Sequence, residues 1–153
     1  MQDIIILSIG KIKEKAIRTL IDEYLKRIPR EIKVVEVELK AENFKDKTET
    51  RASDIEGLRL LEYLAKNKTH RKIILDEDGT NMSSLQLSVF LHANPKVFFV
   101  IGGSVGLSDD VKAVADEIIS LSAMTMPHEL ARLFLTEQIY RGYMIGRGRK
   151  YHY

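Results

Sequence analysis

Two segments that follow predicted buried strands contain the residues best suited to bind a ligand. Residues 97–101 form an unbroken apolar run, typical of a strand covered on both faces, and this run ends at Gly102 and Gly103. A second predicted strand, residues 118–121, leads into the small and polar residues 122–126. The carboxyl ends of parallel strands meet at one edge of a sheet, where α/β proteins bind ligands. Because glycine also lets a ligand approach the backbone closely, we expect both segments to line one pocket.

The same glycine segment allows a second interpretation. Residues 102–106 match GxSxG, the nucleophile elbow of α/β-hydrolases, and His128 or His152 follows in the required order. The elbow requires a helix to begin directly after Ser104, whereas Ser108 gives a new helix-capping signal. We therefore expect Ser104 in a loop and favour a ligand-binding loop. A glycine turn that only connects two elements is the remaining alternative.

No residue set has the spacing of a metal site or of a common dinucleotide fingerprint. Charged residues 11–15 follow the first predicted strand, residues 3–9, where a Rossmann domain would place GxGxxG. The chain contains no cysteine, which excludes disulfides, thiolate nucleophiles and cysteine-ligated metals. No HxxxH pair occurs among the four histidines, His70, His92, His128 and His152. We expect no bound metal.

The composition predicts one cytoplasmic domain with a basic end. A chain of 153 residues with 44% hydrophobic composition can bury its own core, so we assign residues 1–153 to a single domain. It has neither a membrane-length apolar run nor an export signal, and the cytoplasm is the default location. The net charge of +2 indicates no polyanionic partner by itself. However, no acidic residue follows Glu137, whereas several basic residues do.

Alternating strand and helix patterns predict an α/β fold with a largely parallel sheet of about five strands. Residues 32–39 alternate apolar and polar, which indicates an edge strand with Glu36 and Glu38 facing water. The third strand, residues 72–75, is expected to stop at a turn over residues 76–79. A helix over residues 52–66 is expected to turn Ile55, Leu58, Leu61 and either Leu64 or Ala65 inward, and the polar residues 41–50 suit a mobile segment.

The last predicted helix, residues 128–145, carries apolar residues around most of its circumference. One face of a sheet cannot cover such a helix, so a second surface must bury the remainder. We expect this surface to come from a second copy of the chain, which predicts a homodimer.

Three motifs in register along the chain resemble one known family. They are FVIGGSVGLS, then SLSAMTMPHELARLFLTEQIYR, then a basic tail that contains Tyr151 and His152. The chain resembles the small SPOUT methyltransferases that modify 23S rRNA at N3 of a pseudouridine, the large-subunit methyltransferase H family. The similarity extends over essentially the whole chain. It implies a sheet of five to six strands with a C-terminal trefoil knot, a cytoplasmic homodimer, S-adenosylmethionine as methyl donor, and assembled ribosomes as substrate.

The resemblance also implies a set of site residues. Cofactor contacts are expected at Leu75, Gly102, Gly103, Leu121, Ser122, Ala123, Met124, Thr125 and Met126. An apolar slot with free backbone groups suits adenine, and the glycines admit the methionine end. The reaction requires no metal, because the sulfonium is already activated and alignment is the main task.

The remaining expected residues are those that would promote deprotonation of the target base and those that would contact the RNA. A target imide nitrogen must lose a proton to become nucleophilic, and Arg132, Arg141 or His152 could favour that anion. The tail residues expected to contact RNA are Arg147, Arg149, Lys150, Tyr151 and His152.

Two other functions remain as alternatives to an RNA methyltransferase. The first is a non-catalytic RNA- or ribosome-binding module, and the second, which is weaker, is a regulatory protein that binds a ligand.

Overall fold

The structure is a computed structural model that describes residues 1–43, 45 and 48–153. Its strands are β1 (Gln2–Ile9), β2 (Ile32–Leu39), β3 (Arg71–Asn81), β4 (Lys96–Ile101) and β5 (Glu117–Ser120). Its helices are α1 (Lys15–Arg27), α2 (Glu49–Ala65), α3 (Ser84–Ala93), α4 (Asp109–Ala113) and α5 (His128–Gly146). No helix of the described chain is long and apolar enough to cross a membrane.

The strands form a five-stranded sheet in the order β2-β1-β4-β3-β5, and every adjacent pair is parallel. This arrangement confirms the predicted α/β class and the parallel sheet. It also confirms β2 as an edge strand. The carboxyl ends of β3, β4 and β5 lie together, as expected for a binding edge. The trefoil knot implied by the resemblance stays a prediction.

Two apolar layers cover the sheet because successive side chains of a strand point to opposite faces. Ile4 and Ile6 of β1 pack in one core with side chains of α3 and α5, whereas Ile5 and Leu7 pack with side chains of α2 and α4. The result is three layers, with α1, α3 and α5 on one face and α2 and α4 on the other.

Two sequence expectations about local structure are wrong. Strand β3 continues through the expected turn at residues 76–79, because its pairing with β5 resumes at Thr80 after an irregular register. Leu58 is 67% exposed because the buried stripe of α2 bypasses it, although Leu64 is buried as expected. That stripe contains Ala52, Ser53, Glu56, Gly57, Leu60 and Leu64. Because several of these residues are small or charged, a search for apolar periodicity does not detect the buried stripe.

Intrachain helices cover much of α5, which changes part of the argument for a dimer. Helices α1 and α3 both pack against α5 and bury Leu135, Ile139 and Tyr143. Leu130 and Phe134 remain 44% and 39% exposed on α5. An apolar stripe is therefore left for a partner, but it is narrower than the sequence suggested.

The expected mobile segment, residues 41–50, lies partly outside the described residues. Phe44, Asp46 and Lys47 are the three positions without a description. Around them, Glu42 donates its amide to Glu56, and Thr48 caps α2 by accepting from the amide of Arg51.

Candidate active site

One large cavity lies at the carboxyl edge of the sheet, where β3, β4 and β5 end and α5 begins. Its volume is about 640 Å³, within the usual range of ligand pockets. Of the expected cofactor residues, all except Ala123 line it, namely Leu75, Gly102, Gly103, Leu121, Ser122, Met124, Thr125 and Met126. The expected juxtaposition of the two loops is present.

The glycine loop is packed too tightly behind its backbone for larger residues. A Cβ atom on Gly102 would lie 2.9 Å from Cγ of Leu107, and one on Gly103 would lie 2.9 Å from Cγ2 of Ile9. The carbonyl of Gly103 accepts a hydrogen bond from the Gly106 amide at 3.1 Å, which closes the loop into a tight turn. Gly106 has a φ of +75°, a conformation that favours glycine. These glycines are a requirement of the loop shape.

The hydrolase elbow is excluded by the start of the next helix. Helix α4 begins at Asp109, after Ser108 has accepted a hydrogen bond from the Val111 amide. Ser104 therefore lies in the loop, as expected, and it forms no hydrogen bond to a base among the described residues. The pocket does not contain an activated serine.

Side-chain hydrogen bonds hold the second loop in shape. The Ser120 hydroxyl donates to the Ser122 carbonyl at 2.8 Å, and the Met124 amide donates to the Ser122 hydroxyl oxygen at 3.0 Å. The hydroxyl of Thr125 donates to Glu77 at the end of β3. The loop thereby presents Met124 to solvent, 80% exposed, at the mouth of the pocket.

Sequence reasoning missed several residues that line the cavity. They are Asp76, Glu77, Ile101, Ser104, Gly106, Leu107, Pro127, His128 and Ala131. Most of them are neighbours in sequence of the expected residues, and this proximity is the signal that could identify them. The sequence pattern places Asp76 and Glu77 in a turn. Burial alone would raise the pKa of Asp76, but the Asp78 amide and the Lys112 ammonium outweigh burial and lower that pKa.

Arg132, a catalytic candidate, lies in a buried ion cluster. Its side chain is 2% exposed, and it donates to Glu36, to Glu38 at 2.6 Å and to Ser8 at 3.2 Å. Glu36 also accepts from Arg18 at 2.6 Å. The expectation that Glu36 faces water is therefore wrong, because this carboxylate partners two arginines. Arg132 has no exposed surface that an RNA base could contact.

Arg141 and His152, the other catalytic candidates, lie together at the far end of α5. Arg141 donates to Glu137 at 2.6 and 3.0 Å, and Nη1 of Arg141 lies 3.2 Å from Nδ1 of His152. The guanidinium also covers the ring of Tyr151 at 4.7 Å, while the Tyr151 hydroxyl donates to Glu137 at 3.1 Å. Tyr140 packs edge-on against that ring at 4.8 Å. These residues form a compact cluster, which we call the tail cluster.

The other tail residues differ in their exposure and partners. Arg147 pairs with Glu31, so its charge is partly engaged within the chain. Arg149 and Lys150 are exposed and form no ion pair in the described chain. The structure thus leaves two tail cations available for phosphate contacts.

The pocket and the tail cluster are separate in one chain. Ala131 lines the pocket, and Arg141 follows it by ten residues on the same helix. At a rise of 1.5 Å per residue, this separation is about 15 Å. One chain therefore does not place its own tail cluster at its own pocket.

The sheet is all-parallel, and two loops surround a pocket at its carboxyl edge, which is where open α/β sheets bind ligands. Comparison with known proteins identifies the class. Residues 2–152 match the family model described as predicted SPOUT methyltransferase. The chain belongs to the SPOUT methyltransferase family, and it is a methyltransferase.

Curated relatives share this length and much of the sequence. The chain is 41% identical to the ribosomal RNA large subunit methyltransferase H of Shouchella clausii, strain KSM-K16. It is 43% identical to the protein of the same name from Bacillus thuringiensis, strain Al Hakam. Both alignments cover 98% of this chain and 99% of the relative.

Solved structures share the fold at low sequence identity. A probable methylase family protein from Haemophilus influenzae Rd KW20 aligns with a TM-score of 0.59 at 10% identity, covering 99% of this chain and 71% of that one. A putative RNA methyltransferase from Bacillus anthracis aligns with a TM-score of 0.53 at 12% identity, covering 98% and 99%.

Proposed function

We propose that this chain transfers a methyl group from S-adenosylmethionine to N3 of a pseudouridine in 23S rRNA, on assembled ribosomes in the cytoplasm. The observation that carries the proposal is the cavity between the Gly102–Gly103 loop and residues 121–126. Membership in the methyltransferase family and the rRNA methyltransferases among its relatives support the reaction class and the substrate.

The residues around the cavity fit S-adenosylmethionine. Leu75, Leu121 and Met126 supply an apolar slot for adenine, and the loop over residues 121–126 supplies backbone donors and acceptors. Gly102 and Gly103 also line the cavity, and without side chains they let the methionyl end approach the main chain closely. When bound, the cofactor supplies a methyl group already activated by its sulfonium. The protein's task is to align that methyl group with the base.

The tail cluster is the proposed site for the target base. Arg141 and His152 place a cation and an imidazole side by side. A guanidinium stabilises the anion that forms when the imide nitrogen loses its proton, and His152 is suited to accept that proton. Arg149 and Lys150 lie next to them and provide phosphate contacts. We propose that Arg132 acts only by positioning, since its ion cluster ties α5 to β2.

A homodimer through α5 would bring the two sites together. Leu130, Phe134 and Arg141 lie on one face of α5, and the first two are exposed apolar residues. Phe134 lies midway between Pro127, which lines the pocket seven residues before it, and Arg141, seven residues after it. If two copies of α5 cross antiparallel at Phe134, a two-fold axis places the tail cluster of one copy at the pocket of the other. The active site would then be shared between subunits.

The decisive experiment is methyl incorporation into ribosomes from a strain that lacks the enzyme. We expect labelled methyl groups at one pseudouridine of 23S rRNA, and less or none with protein-free RNA. A non-catalytic ribosome-binding module would bind these ribosomes without incorporating methyl groups. Calorimetry provides an independent test, because failure to bind both S-adenosylmethionine and its demethylated product would contradict the proposal.

A further inference from the structure

Glu56, on the buried face of α2, is an acidic residue that forms no ion pair with any residue that the structure describes. It is 3% exposed, and its Oε2 accepts a hydrogen bond from the Glu42 amide at 2.9 Å. Its Oε1 is buried and has no hydrogen-bond partner in the described chain. A buried carboxylate normally has both oxygens satisfied and a counter-charge nearby. A positively charged ligand bound nearby would supply the counter-charge that Glu56 lacks.

The free oxygen lies directly behind the wall of the pocket. A Cβ on Gly103 would lie 3.3 Å from Oε1 of Glu56, and Gly103 lines the cavity. The carboxylate therefore lies close behind the Gly103 main chain, which itself lines the cavity. The absence of a side chain at residue 103 keeps this separation small.

Nearby charges do not neutralise Glu56. Arg59 donates to the Lys40 carbonyl at 2.8 Å and to the Glu42 carboxylate at 2.6 Å, so its donors are directed away from Glu56. His128 lies within electrostatic range and also lines the pocket. Burial raises the pKa of Glu56, and the Glu42 amide, Arg59 and His128 offset this rise only in part. A cation in the pocket would therefore meet a negative charge behind Gly103 that the protein compensates only in part.

We propose that Glu56 is the buried counter-charge for the α-ammonium group of the methionyl part of S-adenosylmethionine, acting across the main chain of Gly103. This inference rests on the proposed function. In the proposed function, the loop over residues 121–126 binds the adenine and the methionyl end lies against the glycine loop, on the side of Glu56; both loops line the cavity. A negative charge in a poorly solvated wall attracts a cation more strongly than the same charge in water. Glu56 would thus select ligands that carry the ammonium group.

The test compares Glu56→Gln with Glu62→Gln in the full-length protein. The glutamine carbonyl can still accept from the Glu42 amide, while the negative charge is removed and an NH2 group replaces the other oxygen. Glu62 lies on the same helix with an exposed side chain and serves as the matched control. Calorimetry would use S-adenosylmethionine, S-adenosylhomocysteine and 5′-methylthioadenosine, of which only the last lacks the ammonium group. We expect Glu56→Gln to raise Kd about tenfold for the first two ligands and less than about twofold for the third.

The thermal midpoint of the unliganded protein gives a second readout. It should stay the same or rise in Glu56→Gln, because a buried charge with one unpartnered oxygen becomes a neutral amide. If the carboxylate had only a structural role, Glu56→Gln would instead lower the thermal midpoint and weaken the binding of all three ligands alike. Glu56→Asp should keep the preference for ammonium-bearing ligands within about threefold, since the charge remains.

Other outcomes would overturn the inference. Equal affinities in Glu56→Gln and wild type would do so while leaving the proposed function intact. Weakening of S-adenosylmethionine alone would assign the charge to the sulfonium and contradict the ammonium assignment. If the wild type bound none of the three ligands, the proposed function and this inference would fail together.

Discussion

Nη1 of Arg132 lies 2.6 Å from Oε2 of Glu38, and this ion pair joins the last helix to the edge strand. The arginine is 2% exposed, so its charge depends on Glu36 and Glu38 for compensation. Removal of one partner from a buried pair leaves an unpaired charge in a poorly solvated place, which costs more than the pair contributes. The same contacts hold α5, and hence one wall of the pocket, against the sheet.

We expect Arg132→Ala to lower the free energy of unfolding by about 3 to 5 kcal/mol. Arg18, which shares Glu36 but is partly exposed, provides the control, and Arg18→Ala should cost only about 1 kcal/mol or less. Urea unfolding followed by circular dichroism measures both values. Equal losses in the two variants would contradict a buried structural role for Arg132.

Acid should weaken the same cluster. Burial tends to raise the pKa of Glu38, but the hydrogen bond and charge of Arg132 outweigh burial and lower it. Because the folded-state pKa lies below the unfolded value, Glu38 contributes stability above the unfolded pKa of about 4.3. That contribution is lost as the pH falls through the folded pKa. Glu38→Gln should flatten the loss of stability between about pH 5 and pH 3, measured as urea midpoints across that range.

Substitution of Gly102 should damage the pocket more than the fold. The added Cβ of Gly102→Ala would lie 2.9 Å from Leu107 and push the loop into the cavity. We expect cofactor affinity to fall at least about tenfold, a loss of about 1.4 kcal/mol in binding. Gly106→Ala is the control for backbone strain, since its Cβ meets no atom within 4 Å and its φ is +75°. It should cost about 1 to 2 kcal/mol of stability with a smaller loss of affinity.

A charge at Phe134 should dissociate the proposed dimer and abolish methylation. Phe134→Glu places a carboxylate in the exposed apolar stripe of α5, where two copies would face each other. Sedimentation should show monomers at micromolar concentration, with cofactor binding retained because one chain supplies the pocket. Leu58→Glu, at an exposed apolar residue of α2, should leave the dimer unchanged. A monomeric wild type would sink the dimer prediction.

Removal of residues 147–153 should separate RNA methylation from cofactor binding. The pocket contains no residue of this tail, so cofactor affinity should change less than about twofold, whereas methylation should be lost. Within the tail, Tyr151→Ala should weaken RNA binding by about 1 to 3 kcal/mol. Arg149→Ala should lower the salt dependence of binding by about one unit. Normal methylation by the truncated protein would show that the tail is a frayed terminus with no role in the reaction.

The sequence alone determined the class of the sheet and the position of the pocket. The predicted strands that end at Gly102 and Leu121 are local features, and the rule that parallel strands bind ligands at their carboxyl ends is general. Residues 122–126 could therefore be predicted to line a pocket, and all of them except Ala123 do so. The family resemblance added the cofactor, the RNA and the expected knot, which topology rules disfavour.

Only the tertiary structure decided how the charged residues are used. Arg132 and Arg141 look alike along the chain, yet one is enclosed by two carboxylates from β2 and the other lies beside His152. Glu56 belongs to a stripe that periodicity did not reveal, and its unpartnered oxygen follows from the packing of α2 behind Gly103. A charge takes its role from partners that are distant in sequence, because burial and pairing are properties of the folded chain. Apolar periodicity reports only which side of an element is covered.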